Sequence, residues 1–333
     1  MRVLLLLRGS AGCGKSTWIE QNGLKPYTLS ADDIRLLCQS PVLQVDGTRG
    51  ISQNNDGTVW KTLFSLLEIR MQKGEFTVID ATNSKTSEMN RYKNMCETYR
   101  YRMYCVDFTD IPIEEVKRRN AGREEFKRVS DDVIDKMYSR FATQKIPSGI
   151  TVIKPDELDS IWMKKRDFSQ YKRIHHIGDV HGCYTALMKY LDDNGGIKDD
   201  EFYIFTGDYI DRGVENAEVV NFLISIMDRK NVLMLEGNHE RWLWLWANDC
   251  TGRSKEFELV TRPILDASGI DKKEVRKLYR RFGQCAYYSY GDNVYLVTHA
   301  GLSVIPDNLT FVATDQMIHG VGAYNDFEKI AET

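Results

Sequence analysis

Four short motifs in the second half of the chain collect residue types that hold metal ions and move protons. They are Gly178-Asp179-Val180-His181-Gly182, Gly207-Asp208-Tyr209-Ile210-Asp211-Arg212-Gly213, Gly237-Asn238-His239-Glu240 and Thr298-His299-Ala300-Gly301. Carboxylate, amide oxygen and imidazole donors suit Mn²⁺, Fe, Ni²⁺ or Zn²⁺. One carboxylate shared between two ions, with the remaining ligands divided, makes a bimetallic centre for displacement at phosphorus. A single histidine in such a motif would read as a satisfied core or surface residue. Four motifs in this order, each closing an apolar run, do not.

A second chemistry lies at the other end of the chain. Gly9-Ser10-Ala11-Gly12-Cys13-Gly14-Lys15-Ser16 fits GxxxxGK[ST]. The glycines let consecutive backbone N–H groups point inward at phosphate oxygens, and a helix starting at Lys15 adds its positive end. Lys15 should reach the β- and γ-phosphates, and Ser16 should ligate Mg²⁺. The nucleotide side of the site is taken as Gly9, Ser10, Ala11, Gly12, Cys13, Gly14, Lys15, Ser16 and Thr17. Ser30-Ala31-Asp32-Asp33-Ile34-Arg35 follows at the distance of a second strand end. A carboxylate there can accept a proton from an acceptor hydroxyl, and an arginine one turn on can hold a nearby phosphate; the plain alternative is a helix N-cap. Asp80 in Val78-Ile79-Asp80-Ala81-Thr82-Asn83 ends another strand, as a Walker B carboxylate would. Arg118, Arg119 and Arg123 are candidates for a lid over the nucleotide, against a solvated helix face.

These motifs need strand ends to carry them. Val3–Leu7, Phe76–Ile79 and Arg102–Phe108 read as short buried strands of an α/β domain. Ile174–Ile177, Phe202–Phe205, Val232–Leu235 and Val294–Val297 read as strands of a second, layered sheet structure with ligand-bearing loops at their ends. Residues 250–285 look like a helical insertion covering that site. The fold class is therefore α/β, with domains at 1–155 and 173–333. The polar stretch 156–172 is read as a linker or connecting helix. A length of 333 residues agrees with two domains. Residues 1–170 carry 27 basic and 23 acidic groups, and residues 171–333 carry 18 and 25. With a net charge of −3, bulk basicity does not advertise a nucleic-acid partner. All six histidines, at 175, 176, 181, 239, 299 and 319, fall in the second half. One of His175 and His176 is expected to be merely structural. The seven cysteines are scattered without CxxC spacing, which argues against a disulfide framework or cysteine zinc site and for a reduced cytoplasm. No run has transmembrane length.

With GSAGCGKSTW, SADDIR, VIDATN and RRNAGRE in order, residues 1–145 resemble the kinase module of polynucleotide 5′-kinases. The resemblance implies that Asp32 is the general base on a 5′-hydroxyl, Arg35 the holder of the acceptor phosphate and Arg123 the lid arginine. The second half is similar to the calcineurin-like metallophosphoesterases. By that resemblance Asp179 and His181 bind one ion, Asp208 bridges, and Asn238 and His299 bind the other. His239 then protonates the leaving alkoxide, Arg212 holds the transferring phosphate, and Asp211 orients His239. That family carries a further histidine loop near its end, for which this sequence offers only His319. The chain stops inside what reads as a helix over 326–333. The expectation is a second domain that ends before its last ligands and so binds metal poorly, with an intact kinase half.

Together the halves resemble the bacterial and phage polynucleotide kinase–phosphatases of RNA end-healing. This implies ATP or another NTP with Mg²⁺ in the first site and two divalent ions, Mn²⁺ foremost, in the second. It also implies substrates with 5′-OH and 3′-phosphate or 2′,3′-cyclic phosphate ends, RNA before DNA, and an RNA ligase acting downstream. The expected setting is the cytoplasm (a host's, if phage-encoded), without a membrane; a homo-oligomer is left open. A local basic cleft near Arg35 and Arg91 would serve nucleic acid. The basic run 272–281 would guide a 3′ end or form a solvated helix face. The rivals are a small-metabolite kinase joined to a dinucleoside-polyphosphate or protein phosphatase, and a kinase with an inactive phosphatase module used for binding.

Overall fold

The computed structural model describes residues 1–322. The chain divides into two units, Met1–Met163 with Asn308–Ala313, and Lys164–Asp307 with the chain from Thr314 onward. The helix expected over 326–333 lies outside the described residues.

The first unit is built in the order β1 (Val3–Arg8), α1 (Lys15–Gln21), β2 (Thr28–Ser30), α2 (Ala31–Cys38), β3 (Val42–Leu43), β4 (Arg49–Gly50), α3 (Asp56–Lys73), β5 (Thr77–Asp80), α4 (Thr86–Tyr99), β6 (Arg102–Asp107), α5 (Ile113–Ala121), α6 (Asp131–Thr143) and β7 (Thr151–Ile153). Five strands form one parallel sheet in the order β2-β5-β1-β6-β7. Parallel strands covered on both faces should be apolar, and β1 is from Val3 to Leu7. Leu4 and Leu6 face the layer holding Leu63 and Leu67 of α3 and Tyr92 of α4. Val3, Leu5 and Leu7 face the layer of Trp18, Ile19, Val116 and Ile134. Arg8 closes the strand as a buried charge and is compensated by Asp107 at 3.1 Å and by the carbonyls of Phe141 and Gln144. A buried cation without such partners would be costly.

Two sequence-based boundaries change here. Residues 156–172 are not a free connector. Leu158 and Ile161 belong to the core of the first unit, and β8 (Arg166–Asp167) and Phe168 belong to the second. Residues 308–313, assigned to the second domain by sequence, pack in the first unit. There Phe311 stacks on Tyr27, with ring centroids 4.4 Å apart, and meets Phe76 and Trp162 edge-on. An aromatic side chain entering a pocket of three others explains the detour.

The second unit continues with β9 (Ile174–Ile177), α7 (Tyr184–Asp193), β10 (Phe202–Phe205), α8 (Asn216–Ile226), β11 (Val232–Met234), α9 (Glu240–Ala247), a π-helix (Phe257–Thr261), α10 (Arg262–Ala267), α11 (Lys272–Arg281), β12 (Ala286–Tyr290), β13 (Asn293–Val297) and α12 (Thr314–His319). One sheet runs β11-β10-β9, all parallel, and the other β13-β12-β8. Alternation along β10 fills both faces. Phe202 and Ile204 pack with Phe168, Leu235, Ala286 and Tyr288 between the sheets. Tyr203 and Phe205 pack with the helical layer. Because β9, β10 and β11 are parallel, the loops after their carboxyl ends gather at one edge.

Neither His175 nor His176 reaches that edge. His175 is buried between the Tyr190 hydroxyl at 2.7 Å and Glu201 at 2.8 Å, and His176 meets the Tyr288 hydroxyl at 2.8 Å. The basic run of α11 is a solvated face held by ion pairs such as Arg281–Asp228 and Lys277–Glu274. No helix among the described residues is long and apolar enough to cross a membrane.

Two candidate active sites

In the first unit a cleft of about 1130 Å³ is lined by residues 10–18, Asp32, Arg35, Asp80, Arg119 and Arg123, among others. The loop between β1 and α1 turns through Gly14 at φ +99°, a conformation that glycine adopts without steric cost. Lys15 lies folded on the loop and donates to the carbonyls of Gly9 and Ser10, both at 2.8 Å. The Ser16 hydroxyl donates to Asp80 Oδ2 at 3.4 Å. This puts a hydroxyl and a strand-end carboxylate together where a magnesium–phosphate group would sit. Burial raises the Asp80 pKa against the opposing charge of Lys15.

The N-cap of α2 is Ser30, whose side chain accepts from the Asp33 N–H. Neither Asp32 nor Asp33 is therefore consumed as a cap. Asp33 turns to Lys25 at 2.9 Å. Asp32 faces the cleft and accepts from Arg35 Nη1 at 2.7 Å. Arg35 Nε donates at 2.8 Å to Asp56, the first residue of α3. Burial works against the Arg35 charge, but the two carboxylates outweigh it and raise its pKa.

Asp56 was not legible in the sequence, because it stands 21 residues from Arg35 in an unremarkable polar stretch. The β3–β4 hairpin also escaped notice; Gln44, Asp46, Thr48 and Arg49 from it line the cleft. The three candidate lid arginines separate. Arg119 and Arg123 line the cleft, whereas Arg118 is absent from its lining and makes a two-pronged pair with Glu115 on an exposed face. Arg91 likewise does not line the cleft; its guanidinium covers the Phe64 ring at 4.0 Å.

In the second unit the strand-end loops bring Asp179, His181, Asp208, Asn238, His239 and His299 together. His181, Asp208 and His239 form one group of ligand atoms, and Asp179, Asp208 and His299 another, each within 4.8 Å. Asp208 belongs to both. Asn238 Oδ1 lies 3.1 Å from His299 Nε2. The donor set fits divalent cations, and His181 Nε2 is a buried nitrogen without a hydrogen-bond partner. Its other nitrogen is held by the Ile210 carbonyl at 3.0 Å, as a metal-binding imidazole requires. His319 joins neither group; it is exposed at the end of α12 and pairs with Asp315 at 3.1 Å.

Burial opposes ionisation of Asp208, but hydrogen bonding and charge from His299 and His239 prevail and lower its pKa. Burial also opposes a charged His299, yet Asp208 outweighs it and lifts the imidazole to about 8. The Asp211 carboxylate, 2.6 Å from His239 Nδ1, raises that imidazole against the effect of burial. Arg212 is exposed, next to the buried Asp211. His181, Asp208, Asp211 and Arg212 all have positive φ, between 44° and 73°. Such backbone costs energy and persists only where neighbours over-determine it.

Glu240 supplies much of that constraint. It is fully buried and accepts from the N–H groups of Asp208, Tyr209 and Gly237 at 2.7–3.0 Å. It thereby fastens two ligand loops together. Burial, reinforced by the Asp208 charge, pushes it up to about 7. A Cβ at Gly237 would stand 2.3 Å from Asp208 Oδ1, so only glycine lets this loop pass the shared carboxylate. The motif contained Glu240, but its type alone did not disclose this role.

Residues 4–143 match the AAA domain family and residues 172–331 match the calcineurin-like phosphoesterases. The chain joins a P-loop kinase-like domain to a calcineurin-like metallophosphoesterase domain. The second domain implies divalent metal ions, and the first implies a nucleoside triphosphate with magnesium. Among curated relatives, a serine/threonine-protein phosphatase of Caenorhabditis elegans is 33% identical over 151 residues, covering 42% of this chain and 32% of the relative. The asymmetrical bis(5′-nucleosyl)-tetraphosphatase PrpE of Halalkalibacterium halodurans is 26% identical over 140 residues, covering 38% of this chain and 56% of the relative. The chain thus spans about a third and just over half of these two proteins. A solved structure titled the Pnkp1/Rnl/Hen1 RNA repair complex aligns with 87% of this chain and 96% of its own, at 18% identity and a TM-score of 0.34.

Proposed function

We propose that this kinase–metallophosphoesterase heals nucleic-acid ends. It would phosphorylate 5′-OH ends with ATP and remove 3′-phosphate or 2′,3′-cyclic phosphate, with RNA the favoured substrate. The observation that carries the reading is the Asp32–Arg35 pair in the same cleft as the phosphate-binding loop, with Arg35 held by Asp56 through Nε. A kinase of a polyanionic acceptor needs a carboxylate for the hydroxyl proton and a fixed cation for the adjoining phosphate, and this cleft supplies both. An acceptor phosphate would take over Arg35 Nη1, releasing Asp32 to accept the 5′-hydroxyl proton while Asp56 keeps Nε. Lys15 and the loop amides would hold the transferring phosphate, with Arg123 over it.

In the second domain Asp179, His181, Asp208, Asn238 and His299 would hold two divalent ions, with Mn²⁺ favoured. These ions would supply electrostatic stabilisation of the charge that develops on the phosphoryl oxygens. Arg212 would grip the phosphate. His239, oriented by Asp211, would give its Nε2 proton to the leaving oxygen. The products are ends that a ligase can join, so an RNA ligase is the proposed downstream partner.

The test is acceptor choice. The chain with ATP should label 5′-OH RNA oligonucleotides and leave nucleosides and small alcohols unlabelled. Its Mn²⁺-dependent hydrolysis should favour terminal nucleotide phosphates over phosphoproteins and dinucleoside polyphosphates. Labelling of nucleosides instead of oligonucleotides would overturn the reading.

A further inference from the structure

Asp211 uses both carboxylate oxygens. Oδ2 lies 2.6 Å from His239 Nδ1, and Oδ1 accepts the hydroxyl of Thr261. Asp211 and Thr261 are both fully buried. The Asp211 N–H is also fixed, donating to Asn216 Oδ1 at 2.8 Å.

The position of Thr261 has a cause in the sequence. It ends the π-helix Phe257–Thr261, which runs directly into α10, and Pro263 follows two residues later. Proline lacks the N–H for an α-helical bond to Leu259, and its ring crowds that carbonyl. The run is widened in the turn ahead of it, with the Arg262 N–H bonded to the Phe257 carbonyl. Single π turns of this kind concentrate at functional sites. Here Leu259 is left 76% exposed and Val260 43%, while Thr261 is turned wholly inward. Glu256, just before the π-helix, accepts the Arg212 N–H at 2.8 Å. One helical segment therefore grips the Asp211–Arg212 turn at two points, where both residues have positive φ.

We propose that Thr261 is a positioning residue for hydrolysis, acting through Asp211 on His239. This rests on the reading of His239 as proton donor. The terminal torsion of an aspartate is soft, so one hydrogen bond does not fix the plane of its carboxylate. The Thr261 hydroxyl supplies the second. The plane then holds His239 Nδ1–H, which leaves Nε2 facing the Asp208 cluster at 3.8 Å. In the proton step the P–O bond to the leaving group breaks and its electron pair stays on the leaving oxygen. That oxygen takes the proton from Nε2 of the doubly protonated ring, which becomes a neutral imidazole and keeps Nδ1–H on Asp211. Water supplies the oxygen that forms the new P–O bond, and its two protons leave with the released phosphate.

The test compares two substrates in the full chain with Mn²⁺. 4-Nitrophenyl phosphate has a leaving group that needs no proton, and an alkyl phosphate monoester has one that does. Thr261→Val should lower kcat on the alkyl ester by about 10- to 100-fold and on the nitrophenyl ester by less than about 3-fold, with KM little changed. Thr261→Ser should restore both activities. The ratio of the two activities in one sample is independent of the folded fraction, so partial misfolding does not obscure the result. Equal losses on both substrates, or no loss on either, would overturn the role of Thr261. His239→Ala is the control for the underlying reading and should show the same split, larger. Without a split in His239→Ala the proton-donor reading fails. A split there but none in Thr261→Val removes only the role of Thr261.

Discussion

The two candidate sites are built by opposite means. In the first unit the proposed groups are loop amides, one lysine and carboxylates of unequal exposure: the Asp32 side chain is 54% exposed, whereas burial acts on Asp80. The second gathers its donors around one buried charge; the Asp208 side chain is 5% exposed amid three imidazoles, with Asp179 at 50% on the open side. A nucleotide site must admit and release a large anion, so its charged partners can be borrowed from neighbouring helices and exchanged on binding. A metal-dependent site must hold like-charged ligands together before substrate arrives. That requires strained loops fastened from behind, which is the role of Glu240. The proposed chemistries account for the histidine distribution: a P-loop site calls for no imidazole, and three of the six histidines, His181, His239 and His299, gather around Asp208 in the second unit.

If the contrast is right, each site can be broken without the other. Asp208→Ala removes the carboxylate common to both ligand groups and should lower Mn²⁺-dependent hydrolysis by more than about a thousandfold. The kinase rate of the same preparation should stay within twofold, as read from paired assays. Lys15→Met or Asp32→Asn should do the reverse, with Asp32→Asn costing about 10²- to 10⁴-fold in phosphorylation, the usual range for loss of a general base.

Glu240→Ala sharpens the claim that the second site is fastened from behind. It strands three buried N–H groups, each worth about 1–3 kcal/mol when left unmet. Calorimetry should show a lowered melting transition for the second unit, along with weakened metal binding. An unchanged transition would remove the fastening role. Asp56→Asn tests the borrowed-partner idea more gently. It should raise KM for a 5′-OH oligonucleotide by about 3- to 10-fold, in line with one weakened charge-assisted hydrogen bond, and leave KM for ATP unchanged. Smallest of all, Arg118→Ala should change kinase activity by less than about twofold, because its partner Glu115 holds it on a solvated face. Arg123→Ala, from within the cleft, should cost more; equal effects would erase the distinction between them.

Much of both sites was legible in the sequence because strand-end motifs are local. GxxxxGKS fixes its own loop, and Asp179, Asp208 and Asn238 each follow an apolar run whose parallel pairing brings them to one edge. What escaped was non-local support. Asp56 reaches Arg35 from the start of another helix, and Thr261 reaches Asp211 across 50 residues. Neither carries a motif, and nothing in residue type separates them from surface polar residues. The packing of residues 308–313 in the first unit was hidden for the same reason, since one phenylalanine does not announce its pocket. For Arg118 the sequence left a lid and a solvated helix face open, and for Arg91 it suggested a basic cleft; Arg118 pairs with Glu115 and Arg91 covers Phe64, partners that residue type alone did not single out.

The central claim is that one chain carries two separable phosphate chemistries directed at the two kinds of broken end. End-mapping tests it most directly. RNA with a 5′-OH and a 2′,3′-cyclic phosphate is incubated with ATP, Mg²⁺ and Mn²⁺, and both ends are analysed. The wild-type chain should give a 5′-phosphate and lose the 3′ phosphate, Lys15→Met should lose only the first reaction and Asp208→Ala only the second. If the single P-loop change removed both reactions while the protein stayed folded, the two-site account would be wrong.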